Sequence, residues 1–124
     1  MTRINSAIPP AELCNQHLLA EYRELPRISG LAWKYHERGD QSQIPNEFCL
    51  GAGHVKFFYD KGAFLKNRFN SIVDVLKGRG YALQFTEYRS HPEGMNGPHK
   101  PTSSERELLE ERIRLRMPKK PRFT

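Results

Sequence analysis

Apolar residues recur at helical spacing in two separate segments, and this period most constrains what the chain can fold into. An α-helix has about 3.6 residues per turn, so such spacing gathers apolar side chains into one stripe per helix. The stripes comprise Ala11, Cys14, Leu18, Tyr22 and Leu25, and Leu65, Phe69, Ile72, Val73 and Leu76. A third helical segment presents Leu108, Leu109, Ile113 and Leu115. The pattern predicts a mostly α fold: a single compact domain of three main helices with long loops.

Prolines and glycines suggest where these helices begin and end. The first is predicted from Pro10 to Leu25, with Pro26 ending or kinking it and residues 27–36 continuing in a new direction. The second is predicted from about Asp60 to Gly78, where glycine can adopt a left-handed cap.

The third helix is predicted to open with a capping box formed by Ser104 and Glu107 and to end before Pro118. Residues 39–42, 81–88 and 90–102 are expected to be irregular, and His91 and His99 to be solvated.

Composition restricts the class of protein. A chain of 124 residues fits one domain over residues 1–124, and its net charge of +6 favours a polyanionic partner, although a basic surface can also serve solubility alone. There is no hydrophobic signal core and no apolar run of roughly 20 residues, so we expect a cytoplasmic monomer without membrane contact.

Cys14 and Cys49 have apolar neighbours and are expected to be buried thiols. Residues 118–124 form a basic tail that is expected to be mobile.

The first residues suggest a reaction. A small residue at position 2 permits removal of Met1, which gives Thr2 an α-amine with a pKa of roughly 7.7–8.0. A neutral amine beside Glu24 and the arginines 3, 23 and 27 suits Schiff-base chemistry on a nucleic-acid sugar. The alternative is that Arg23, Glu24 and Arg27 form an ordinary solvated helix face.

Two other patterns favour structural roles. Gly51-Ala52-Gly53 lacks the flanking pattern of a phosphate loop and is expected to serve backbone geometry. Cys14 and His17 have ligand spacing on one helical turn, but Cys49 and His54 lack the spacing of a standard zinc module, so no metal site is predicted.

Several long blocks resemble the bacteriophage endonuclease V type of pyrimidine-dimer DNA glycosylase and AP lyase. They are the opening Met-Thr-Arg-Ile-Asn, Gln16-His17-Leu18, residues 20–27, residues 50–55 and residues 57–61. The resemblance covers residues 1–77 well and the third helix loosely.

This resemblance implies a small α-helical repair enzyme that needs no metal or cofactor. Such enzymes bind duplex DNA containing a cyclobutane pyrimidine dimer, kink it and flip out the base opposite the lesion. The resemblance also implies catalysis by the amine of Thr2 together with Glu24. The DNA-binding residues that it implies are Arg3, Gln16, His17, Tyr22, Arg23, Arg27 and Arg112.

The chain departs from the family pattern in three places. Leu108 stands where the family has a second arginine, for which nearby Arg106 is the candidate substitute. Residues 80–103 also differ, and the tail ends in Lys, Pro and Arg with only Phe123 as an aromatic residue. The leading hypothesis is a dimer-specific glycosylase with coupled β-lyase activity on damaged double-stranded DNA. The rivals are a lyase for abasic or other lesions and a non-catalytic DNA-binding module.

Overall fold

Three long helices and one single-turn helix form the part of the fold that the structure describes. The structure is a computed structural model that describes residues 4–39 and 43–124. A short 3-10 helix, Pro10–Glu12, precedes α1 (Asn15–Arg38), and α2 (His54–Phe57), α3 (Gly62–Gly78) and α4 (Ser103–Leu115) follow. Within the described ranges, the only β pairing is an isolated bridge between Lys61 and Asn96. The predicted fold class is therefore confirmed.

The core lies where the apolar stripes of α1 and α3 meet. Its largest contributors from these helices are fully or almost fully buried: Leu18, Tyr22, Leu25 and Ile28 from α1, and Leu65, Phe69, Ile72 and Leu76 from α3. The apolar residues predicted for the third helix are only partly buried, because α4 buries Leu109 while Leu108 and Leu115 are 49% and 69% exposed. A single row of α4 residues thus faces the core.

The first helix differs from its prediction at both proline sites. Pro10 opens a separate 3-10 turn, and Leu13 and Cys14 are extended before α1 begins at Asn15. Pro26 does not end the helix, and α1 continues to Arg38. An internal proline costs about 3 kcal/mol or more. Burial of Leu25 and Ile28 on either side of Pro26 offsets this cost, because a fully buried Leu or Ile side chain contributes about 1.5–3 kcal/mol.

The capping residues also differ from their predicted positions. Gly80, rather than Gly78, takes the left-handed conformation with φ of 94°. The amides of Gly80 and Tyr81 donate to the carbonyls of Lys77 and Leu76, which forms a Schellman motif at the end of α3. Thr102, two residues before the predicted Ser104, caps α4 by accepting a hydrogen bond from the Glu105 amide at 3.2 Å.

The segment after α3 is irregular as predicted, but its histidines are not solvated. His91 is 2% exposed, donates from Nδ1 to the Tyr59 carbonyl at 2.7 Å and accepts at Nε2 from the Tyr88 hydroxyl at 2.8 Å. His99 pairs with Glu105 at 3.0 Å. Tyr59 is distant in the sequence and Glu105 belongs to the next helix, so these two contacts anchor the segment to the rest of the fold.

The cysteines and the glycine segment before α2 have structural positions. Both cysteines are free thiols, Cys14 is buried as predicted, and Cys49 is only partly buried, which corrects the second prediction. Gly53 has a φ of 89° and directly precedes α2, in agreement with a backbone role. His54 is fully buried and donates from Nδ1 to the Cys49 carbonyl at 2.7 Å.

Candidate DNA-binding and catalytic site

The outward face of α1 carries the charged residues singled out in the sequence. Arg23 and Arg27 are exposed, and the side chain of Glu24 between them is 14% exposed. Arg27 Nη1 donates to Glu24 Oε1 at 2.8 Å. Arg23 forms no ion pair with any residue that the structure describes. Its guanidinium is therefore available to an external anion.

Glu21, one turn before Glu24, has a different environment. Its side chain is fully buried and receives hydrogen bonds from Arg68 Nε and Nη2 on α3. Arg68 Nη1 also donates to the Ile8 carbonyl at 2.7 Å. Because its oxygens are occupied by Arg68, Glu21 has a structural role, and Glu24 is the carboxylate of this pair that solvent can reach.

The same buried pair fixes the N-terminal segment. The backbone amide of Asn5 donates to Glu21 Oε1 at 3.1 Å. From α4, Arg112 Nη2 donates to the Ile4 carbonyl at 3.2 Å and to Asn5 Oδ1 at 3.1 Å. Ile4 and Asn5 are thus held from two sides beside α1. Thr2 and Arg3, the predicted nucleophile and phosphate ligand, lie outside the described residues.

Arg112 is half-buried in this arrangement rather than displayed on the surface. Burial lowers its pKa, and the nearby positive charge of Arg116 adds to this effect, whereas Glu21 opposes it. Its Nη1 is buried and has no hydrogen-bond partner among the described residues. The structure therefore places Arg112 against the N-terminal segment, with one donor still unused.

Gln16 and His17 contact the C-terminal part of the chain. Gln16 Nε2 donates to the Lys120 carbonyl at 2.9 Å, and Gln16 Oε1 accepts from the Arg122 amide at 3.2 Å. His17 Nε2 lies 3.3 Å from the Arg116 carbonyl. The basic tail therefore lies alongside the first turn of α1. Its mobility stays a prediction. Direct contact of Gln16 with DNA requires these hydrogen bonds to exchange.

Tyr22 lies in the core rather than on the basic face. Its residue is 5% exposed, its ring stacks on Phe69 and Phe85, and its hydroxyl donates to the Phe85 carbonyl at 2.7 Å. The structure brings Arg23, Glu24 and Arg27 together on one surface. It places Tyr22 behind them.

Sequence reasoning missed Glu21, Arg68 and Asn5. The signal for the first two was present, because each charged residue lies next to the apolar stripe of its own helix, beside Tyr22 or Phe69. A charge at such a position is rarely buried without a partner. The Asn5 backbone contact had no sequence signal.

The structure thus displays exposed arginines on α1 beside a carboxylate that is 14% exposed, an arrangement that suits a protein with a polyanionic partner. A family model described as pyrimidine dimer DNA glycosylase matches residues 1–89 of the chain. The chain belongs to this family, which confirms the resemblance seen in the sequence and makes the protein a DNA repair glycosylase with DNA as its substrate. The match includes α1, α3 and the N-terminal segment, whereas α4 with Arg112 lies beyond it.

None of the helices in the described ranges has the length and apolar character needed to cross a membrane.

Proposed function

We propose that the protein excises cyclobutane pyrimidine dimers from duplex DNA and also cleaves the strand as an AP lyase, through a Schiff base on the α-amine of Thr2. Glu24 serves as the acid/base group and as the stabiliser of the cationic intermediate. Arg3, Arg23 and Arg27 bind phosphates, and Arg112 supports the N-terminal segment. Membership of the family supports the glycosylase activity, and the lyase step and the residue roles are inferred from the site.

The observation that carries this proposal is the anchoring of Asn5 to Glu21, one helical turn before Glu24. Residues three apart on a helix have Cβ atoms about 5–6 Å from each other. Two residues of chain extend at most about 7 Å, so a nucleophile at position 2 remains tethered close to Ile4. The proposal requires the mature α-amine to reach Glu24 from this anchored segment.

The chemistry can be written with balanced bonds. The neutral amine forms a bond to C1′ of the deoxyribose while the glycosidic C–N bond breaks and its electron pair leaves with the base. Glu24 takes one proton from the nitrogen and returns it to O4′ as the C1′–O4′ bond breaks. The nitrogen lone pair then forms the C1′=N bond of an iminium ion, which the Glu24 carboxylate stabilises, and the released base takes a proton from solvent. Glu24 then removes a proton from C2′, the C3′–O bond breaks, and the 3′ phosphate leaves. Water finally hydrolyses the imine and releases Thr2.

The ion pair of Glu24 with Arg27 suits such a cycle because it is weak enough to exchange. The Arg27 side chain is 63% exposed and that of Glu24 is 14% exposed, so solvent screens the pair on the arginine side; fully exposed pairs typically contribute about 0–1 kcal/mol. A DNA phosphate can therefore replace the carboxylate as the partner of Arg27. The exchange leaves Glu24 free to face the sugar.

A lesion lowers the energy needed for this reaction. A dimer distorts base stacking, so a kinked duplex with an extruded base costs less than it does in undamaged DNA, by a few kcal/mol. Arginines that hold phosphates along α1 stabilise the kinked form. Recognition then depends on deformability more than on base edges.

Borohydride trapping tests the nucleophile. The mature protein with Thr2 at its N-terminus is mixed with dimer-containing, abasic and undamaged duplexes, and reduction should give a covalent adduct with the first two. One extra residue before Thr2 should abolish the adduct and strand cleavage while affinity stays within about twofold. An adduct with the abasic duplex alone indicates a lyase without dimer recognition. Tight binding without any adduct indicates a non-catalytic module.

Glu24→Gln tests the carboxylate. This variant should bind the dimer duplex normally but lose turnover by roughly 10²-fold or more, because general acid–base catalysis typically contributes about 10²–10⁴-fold. Glu37→Gln is the matched control, since Glu37 is exposed on α1 about 20 Å further along the helix. Full activity in Glu24→Gln removes Glu24 from the mechanism.

A further inference from the structure

Residues 85–90 lie along one side of α1 and are fixed to it by side-chain hydrogen bonds. The Tyr22 hydroxyl donates to the Phe85 carbonyl at 2.7 Å and accepts from the Phe85 amide at 3.1 Å. Further along, Ser29 Oγ donates to the Arg89 carbonyl at 2.7 Å, and Trp33 Nε1 donates to the Ser90 carbonyl at 2.8 Å. These contacts span eleven residues of α1, or about 16 Å.

This edge borders the basic face of α1. Each helical residue turns the chain by about 100°, so Tyr22, Ser29 and Trp33 form one row along the helix. The row of Arg23, Arg27 and Lys34, all exposed, lies about 100° around the helix from it. A duplex bound along the second row therefore reaches residues 85–90 at its side.

Phe85 presents an ordered and exposed aromatic ring at this edge. One face lies against Tyr22, with ring centroids 4.4 Å apart and an angle of 8° between the planes. Phe69 lies parallel to it at 6.1 Å and 6°. Phe85 is nevertheless 39% exposed, so part of the residue remains accessible to a ligand. The parallel rings of Tyr22 and Phe69 and the two hydrogen bonds between the Tyr22 hydroxyl and the Phe85 backbone fix the orientation of the Phe85 ring. Another flat ring can therefore stack on it.

Arg89 presents an ordered cation four residues further on. Its guanidinium carbon lies 4.5 Å from the centre of the Trp33 ring, and Arg89 forms no ion pair with any residue in the described ranges. A cation–π contact uses the face of the guanidinium and leaves its in-plane N–H donors free for phosphate oxygens. The exposed carboxylate of Glu87 lies between Phe85 and Arg89 in sequence, so the attraction for phosphate is local to Arg89.

We infer that Phe85 and Arg89 form a lesion-recognition edge of the DNA-binding surface. Phe85 stacks on a base displaced from the helix at the lesion, and Arg89 binds a backbone phosphate beside it. A base in an intact duplex has both faces covered by its neighbours, so Phe85 discriminates damaged from undamaged DNA, whereas Arg89 acts on both. This inference rests on the proposed placement of the duplex along α1, and it does not depend on Thr2 or Glu24.

Equilibrium binding tests the edge without requiring turnover. Fluorescence anisotropy would use an undamaged duplex and a duplex whose dimer carries 2′-fluorinated sugars, because fluorine disfavours the cationic transition state and prevents cleavage. Phe85→Leu should weaken binding to the dimer duplex by about tenfold, the typical effect of losing one aromatic–base stack, and leave the undamaged duplex unchanged. Phe85→Trp retains an aromatic ring and should preserve the preference.

Phe123→Leu is the matched control, since Phe123 is an exposed aromatic residue in the C-terminal tail, 46% accessible. It should leave the preference for the dimer duplex intact. Arg89→Gln should weaken binding to both duplexes equally. Unchanged binding by Phe85→Leu, an equal loss on both duplexes, or a loss confined to Phe123→Leu would overturn the inference. Thermal unfolding of each variant verifies that it is folded, and Phe85→Trp keeps the test valid if Phe85→Leu is unstable.

Discussion

At the scale of single residues, Glu21 and Glu24 lie one turn apart on α1, and burial gives them different roles. Glu21 is fully buried with Arg68, and removing one member of such a pair typically costs about 3–5 kcal/mol because the other charge stays buried. Glu24 has an exposed partner that a phosphate can replace. The pair of Glu21 with Arg68 thus maintains the N-terminal segment, and Glu24 is the carboxylate that remains accessible on this face of α1.

Another single residue, His54, should make stability depend on pH. Burial lowers the pKa of His54 to about 4, against the opposing hydrogen bond to Cys49. The unfolded chain, with an ordinary histidine pKa of roughly 6.5, takes up the proton first, so the free energy of unfolding should fall as pH falls from about 6.5 to about 4. The loss from this residue is about 3 kcal/mol.

Urea unfolding at a series of pH values measures this effect. His54→Asn retains a donor for the Cys49 carbonyl but does not titrate, so its stability should vary less with pH. Burial also lowers the pKa of His91, which leaves a smaller dependence of the same sign. The same steep pH dependence in His54→Asn and in the unsubstituted protein would contradict this assignment.

At the scale of the elements, the period of the apolar residues determined which segments are helical, but not where each helix begins and ends. Leu25 and Ile28 make the apolar stripe of α1 continuous across Pro26. Their burial in the core outweighs the tendency of Pro26 to break a helix, on which the predicted break was based. Thr102 and Gly80 were missed because nearby Ser104 and Gly78 offer the same local chemistry. Only packing decides between such neighbours.

The site shows the same division between local and distant information. The charged face of α1 was predicted from helical spacing, because Arg23, Glu24 and Arg27 belong to one element. The burial of His91 could not be predicted, since its partner Tyr59 lies 32 residues away in the sequence. The exposed ring of Phe85 likewise depends on Tyr22, which is distant in sequence.

Two glycines of α3 provide a test of whether residues 91–96 pack closely against the start of this helix. A Cβ at Gly62 would lie 2.8 Å from His91 Cγ and would also collide with Asn96, whereas one at Gly78 meets nothing within 4 Å. Gly62→Ala should therefore lower the free energy of unfolding, by about 1–3 kcal/mol as for other overpacked sites. Gly78→Ala should raise it by about 0.5–1 kcal/mol through helix propensity.

Chemical denaturation of the two variants measures this difference, and each serves as the control for the other. Equal effects of the two substitutions would show that residues 91–96 do not pack closely on the start of α3.

At the scale of the whole molecule, charge is divided between internal and external partners. Arg68 and Arg112 hold the N-terminal segment, and Arg114 is bound to Glu111 at 3.0 Å on α4. Arg23 and Arg89 have no such ion pair among the described residues. The net charge of +6 is therefore less informative than the position of the arginines that remain available to phosphate.

This division predicts how DNA binding responds to salt. Each neutralised phosphate contributes about −0.9 to the slope of log K against log salt, so four contacts weaken binding by roughly 10²-fold between about 50 and 200 mM salt. Arg23→Gln should reduce the magnitude of that slope by about one on damaged and undamaged duplexes alike. Arg114 is also exposed but is already paired with Glu111, so Arg114→Gln should leave the slope unchanged. Anisotropy titrations at several salt concentrations measure the slopes, and an equal change in both variants would mean that general basicity, rather than the face of α1, binds the duplex.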